Sequence, residues 1–75
     1  MSEILSTWTI YDHPKDFPDS YIARRHDLVA GDVIASSQCM VASTLTVLRD
    51  HLANQGLHCV PRQWDDDAVI IETWL

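Results

Sequence analysis

The segment Asp12-His13-Pro14-Lys15-Asp16 sets two carboxylates and an imidazole within five residues. Such a group could serve as a general acid and base, or hold a hard cation through its carboxylate oxygens. The same residue types also build turns. Proline fixes φ and removes a donor, while aspartate side chains accept nearby backbone N–H groups. With Pro18, Asp19 and Ser20 following, a stiff turn accounts for the composition, and Asp12 and Asp16 are expected to serve its backbone donors.

Arg24-Arg25-His26 is the one concentration of positive charge. In an extended chain Arg24 and His26 share a face and Arg25 takes the other, so the two arginines cannot form one bidentate clamp. Arg24 and His26 could grip a carboxylate or phosphate. Alternatively the arginines pair with acids of this chain, or one stacks on an indole. Cys39, His51, His58 and Cys59 lack the spacings by which two zinc ligands converge from one turn, and His58 and Cys59 are neighbours that point to opposite faces of a strand. No metal and no cofactor are expected, and Cys59 reads as a small apolar thiol. Cys39 has no histidine near it in sequence to act as a base, so no catalytic residue is assigned. None of the 75 residues forms a recognised catalytic, nucleotide-binding or metal-binding motif.

These residues belong to a chain long enough for one domain spanning 1–75, near the lower limit for a self-sufficient core. Apolar residues make up 47%, and three tryptophans, Trp8, Trp64 and Trp74, supply large side chains for that core. Eleven acids against five Lys and Arg leave a net charge of −6. That charge favours solubility and opposes binding to nucleic acid or anionic lipid. Asp65-Asp66-Asp67 could mimic a phosphate backbone, but three adjacent aspartates are ordinarily a solvated turn. Two cysteines are too few for a secreted disulfide scaffold. Met1 to Ser6 does not read as a signal peptide, and no run is apolar enough to span a bilayer. A cytoplasmic protein with two free thiols is expected.

The pattern predicts a frayed segment over 1–6, a strand from Trp8 to Tyr11, the Pro- and Asp-rich connection, and a second strand from Tyr21 to Val29. That second strand alternates poorly on both faces, which suits a strand only half covered or one at a sheet edge. Ala30-Gly31-Asp32 signals a turn, Val33 to Ala35 a short third strand, and Ser36-Ser37-Gln38 a break. A helix follows, with Ser43 as N-cap and Leu45, Leu48 and Leu52 as one stripe; Arg49, Asp50 and Asn54 point away from it. Gly56 and Leu57 fit a Schellman stop. His58 to Gln63 and Ala68 to Leu75 form a final hairpin across Trp64 and the aspartates, the last strand lying centrally. Val69, Ile71 and Leu75 are expected to meet the helix, leaving Ile70, Glu72 and Trp74, with Trp8 or Tyr11, on the other face.

The run Trp8-Thr9-Ile10-Tyr11-Asp12-His13-Pro14-Lys15-Asp16-Phe17-Pro18, the later Ala23-Arg24-Arg25 and the closing Ile71-Glu72-Thr73-Trp74-Leu75 resemble a group of small bacterial proteins of unknown function. The group has a W-T-I-Y-D-H-P-x-D-x-P opening. The resemblance implies a bacterial cytoplasmic protein and carries no activity and no functional residue.

The reading is an α+β domain: an antiparallel sheet of four or five strands with one helix packed on one face, in the order β-β-(β)-α-β-β. A single apolar stripe covers one face of such a sheet, so the other is dressed with polar groups or is an interface. The expected function is a non-enzymatic protein-interaction module, homodimeric or bound to another protein. Trp74 and Trp8 would anchor it and Arg24 or Arg25 would make rim contacts. The alternative is a small-molecule or anion-binding domain using Arg24 and His26.

Overall fold

β-branched and aromatic residues dominate the first strand, β1 (Leu5–Asp12), whereas the second, β2 (Tyr21–Val29), opens on Tyr21-Ile22 and ends on Val29 around a charged middle. The computed structural model describes residues 5–63 and 68–75. Further elements are β3 (Asp32–Ala42), α1 (Leu45–Asn54), β4 (Cys59–Pro61) and β5 (Ile70–Trp74). They form one five-stranded sheet in the order β3-β2-β1-β5-β4, every neighbouring pair antiparallel, with α1 across one face. The fold is α+β, and the chain order is the expected one with the third strand present.

Ala30 and Gly31 join β2 to β3 with φ of +50° and +85°. Positive φ at both central residues is the type I′ pattern, whose twist suits a hairpin. Beyond it β3 runs eleven residues. Ser36-Ser37-Gln38, expected as a break, is instead a bulge within this strand. Arg24 opposes Cys39 and His26 opposes Ala35, so three residues of β3 face one of β2. The Gln38 N–H turns inward to the Ser36 Oγ at 3.1 Å. β1 likewise begins at Leu5, earlier than its aromatic core suggested, because Leu5 to Thr7 pair with His26 to Leu28.

The N-cap of α1 is Thr44, not Ser43, and its side chain makes no capping bond. The C-terminal stop is as expected. Gly56, at φ +81°, donates to Ala53 O at 3.0 Å and Leu57 donates to Leu52 O at 3.3 Å. This is the Schellman pair of bonds, with glycine where a left-handed residue is required.

Leu48 and Leu52 bury against Ile10, Ala23 and Trp74; Leu45, Leu57, Met40 and Ile71 pack around them. This corrects the expected register of the last strand. Trp74, only 8% exposed, lies under the helix rather than on the open face. The cause is a second bulge: Ile10 pairs Glu72 while Tyr11 pairs Ile70, leaving Ile71 as the extra residue. A slip of one residue exchanges the faces of a strand, so Ile71 reaches the core while Glu72 and Trp74 also face the helix. β5 is internal, as expected. β2 is internal as well, not at an edge; the edges are β3 and β4. The expected turn at Trp64 to Asp67 lies outside the described residues.

Candidate functional site

Beneath α1 the sheet carries a charged residue, Glu72, that is only 5% exposed. Arg49 reaches it from the helix with two donors, Nη2 to Oε1 at 2.7 Å and Nε to Oε2 at 3.1 Å. The Trp74 indole N–H donates to Oε2 at 2.6 Å, and the Cys59 thiol lies against the same carboxylate. Burial pushes the Glu72 carboxyl up, but the Arg49 hydrogen bonds and charge with the Trp74 indole outweigh it, so it titrates below the ordinary carboxylate range. Burial and the Glu72 charge push the Cys59 thiol up, opposite to what a nucleophile needs. This cluster clamps helix to sheet. Sequence reading missed it: Arg49 was placed pointing away from the leucine stripe, yet its side chain is long enough to reach Glu72, 23 positions on.

Further along the same face, Ser6 Oγ donates to Asp27 Oδ1 at 2.8 Å, and Arg25 donates to Asp27 at 2.8 Å and to Gln38 Oε1 at 2.6 Å. The Ser6 and then the Arg25 hydrogen bond hold the Asp27 carboxyl below its usual value. Trp8 stands opposite Arg25 and Trp74 and packs at the rim of the core, half-buried.

Arg24 and His26 share the opposite face, as expected, with Arg25 turned away. Arg24 is ion-paired to Asp16 and lies 5.9 Å from the centroid of the Tyr11 ring. The cation–π partner is thus a phenol, not an indole. In the connection before β2, Asp12 pairs with the His13 ring, and that ring sits edge-on to Tyr21 at 4.8 Å. The aspartates therefore meet His13 and Arg24 side chains where backbone donors were expected. The turn itself closes through backbone bonds, Phe17 N–H to Pro14 O at 2.9 Å and His13 N–H to Ser20 O at 3.0 Å.

The face away from α1 is ordered in rows by the strand register. Leu5, Leu28 and Val33 form one row, and Thr7, His26 and Ala35 the next. Cys39, Arg24, Thr9, Thr73 and Val60 follow, then Val41, Ile22, Tyr11 and Ile70. Nine large apolar side chains are exposed among the described residues. Six of them, Leu5, Leu28, Val33, Val41, Val60 and Leu75, lie on this face. Leu75 comes one residue past Trp74 and is bonded to His58. Among the described residues no acid projects from the strands here; Asp16 alone reaches over, to pair with Arg24.

Cys39 and Cys59 occupy opposite edges of the sheet as free thiols. No group of metal-ligating side chains assembles, no cavity is enclosed, and no helix is long and apolar enough to cross a membrane, among the described residues. Comparison of the chain with protein-family models, with curated proteins and with solved structures finds no match.

Proposed function

We propose that the chain is a non-enzymatic protein-interaction module of the cytoplasm, and that it binds through the sheet face left uncovered by α1. One observation supports this most: six of the nine exposed large apolar side chains gather on that face, where among the described residues no unpaired acid projects from the strands although the chain has a net charge of −6. Monomers seldom leave such a patch in water, and a binding surface is the ordinary reason for one. Trp74 and Trp8, the expected anchors, both lie on the helix side of the sheet, Trp74 in the core and Trp8 at its rim. Leu28 and Val33 take their place as contact residues, with the Arg24–Asp16 pair at the rim. In the alternative reading an anion is held by Arg24 and His26, but Asp16 already occupies the place of that anion.

A photo-crosslinking residue at position 28, expressed in cells, tests the proposal against the same residue at position 50 on α1. Protein adducts at 28 and none at 50 are expected. Absence of any adduct at 28 would refute it.

A further inference from the structure

We infer that the occupant of the uncovered face is a second copy of this chain, packed sheet to sheet about a twofold axis. The inference rests on the interaction reading above and names its partner.

The edges of the sheet are guarded, and the face is not. β4 offers three residues and ends in Pro61, which has no donor. β3 is long, but its bulge at Ser36 to Gln38 breaks the row of outward groups on which another strand would build. Strand addition is obstructed on both sides, which leaves stacking as the open mode of association.

Charge selects the partner. Two chains of net charge −6 repel across most of their surfaces. On the uncovered face the described ionisable groups projecting from the strands are Arg24, paired with Asp16, together with His26, Tyr11 and Cys39, none of them a carboxylate. Two copies can meet there without setting carboxylate against carboxylate. A twofold contact needs a surface complementary to itself. Rows of Leu, Val, Thr and Ala satisfy that, since apolar and β-branched residues pack on their own kind in the aligned sandwich geometry.

The size is adequate. Strands of 8, 9, 11, 3 and 5 residues, at about 3.3 Å per residue and about 4.8 Å apart, give a face of at most about 600 Å². Two such faces reach about 1,200 Å², the lower end of specific interfaces. The row Leu5–Leu28–Val33, with exposures of 51%, 39% and 71%, supplies an apolar band at the end of the face beside the Ala30-Gly31 turn. The Arg24–Asp16 pair stands toward the other end, where solvent can reach it.

Sedimentation velocity across a dilution series of the full chain tests this. The expected result is a mass of twice 8.5 kDa at high concentration, dissociating on dilution. Val33→Asp and, separately, Leu28→Asp should each raise the dissociation constant by roughly tenfold or more, with circular dichroism unchanged. Val47→Asp, on the outer side of α1, should leave it unaltered. A single-chain mass up to about 1 mM, or a dimer indifferent to both face substitutions, would overturn the inference. Protein adducts at position 28 in cells, found with a single-chain mass, would overturn it while leaving the interaction reading intact; no adducts at all would remove both.

Discussion

Beneath α1, Ile10, Ala23 and Trp74 meet Leu48 and Leu52, and Glu72, the buried carboxylate among them, has three donors from Arg49 and Trp74. On the reverse of the same strands, Leu5, Leu28 and Val33 stand in water with no layer above them. The two faces draw on alternate residues of one sheet. One is finished: apolar area is covered and polar atoms are satisfied. The other is covered only in part: Ile22 and Thr9 are buried on it, while the row Leu5–Leu28–Val33 is exposed. Among the described residues one helix serves two faces, and the row Leu5–Leu28–Val33 is left without a cover.

The sharpest way to break this contrast is to truncate a leucine on each face. Leu52→Ala removes a fully buried side chain and should destabilise by about 2–5 kcal/mol. Leu28→Ala, measured by urea denaturation at concentrations where the chain is monomeric, should change stability by about 0.5 kcal/mol or less. Equal losses would mean that both faces are core.

Next in size is the clamp. Glu72→Gln weakens the charged bonds to Arg49 and should cost about 1–3 kcal/mol at pH 7. Its pH dependence follows from linkage. The folded carboxyl titrates below its ordinary value of 4.5, so the native state holds the proton less tightly than the unfolded chain. That stabilisation is complete above about pH 4.5 and fades as pH falls through the lower folded value. Denaturation midpoints of wild type should therefore drop more steeply below pH 4.5 than those of Glu72→Gln, and the two should converge in acid. Parallel curves would contradict the clamp.

A smaller loss is expected at the end of the helix that covers the first face. A Cβ at Gly56 meets nothing within 4 Å, so Gly56→Ala tests the φ of +81° alone. A loss of about 1 kcal/mol in thermal or chemical unfolding is expected, from left-handed strain. The smallest effect belongs to the open face: Val33→Lys should leave monomer stability within about 0.5 kcal/mol while it weakens association.

Much of the fold was legible because its signals are local. The leucine stripe, the Gly56–Leu57 stop, the Ala30-Gly31 turn and the β-branched runs each fix a short stretch of backbone, and together they require one helix on one antiparallel sheet. Of the two bulges, the one at Ser36 to Gln38 showed only as a break in the pattern and the one at Ile71 not at all. They depend on which residue of a neighbouring strand lies opposite, and no alternation within β3 or β5 announces that. Missing the bulge at Ile71 reversed the faces of Glu72 and Trp74, and with them the expected anchor. The face shared by Arg24 and His26 was legible from strand periodicity, whereas the capture of Arg24 by Asp16 is a tertiary event. The Glu72–Arg49 clamp, between elements distant in sequence, was out of reach for the same reason.

One face folds the chain, and the other is proposed to join it to its copy. An isotope-filtered NOE experiment on an equal mixture of labelled and unlabelled protein addresses this most directly. The account predicts contacts between copies from the methyl groups of Leu5, Leu28 and Val33, and none from Leu48 or Leu52. Contacts confined to β3 edge amides, or none between copies at concentrations near 1 mM, would contradict it.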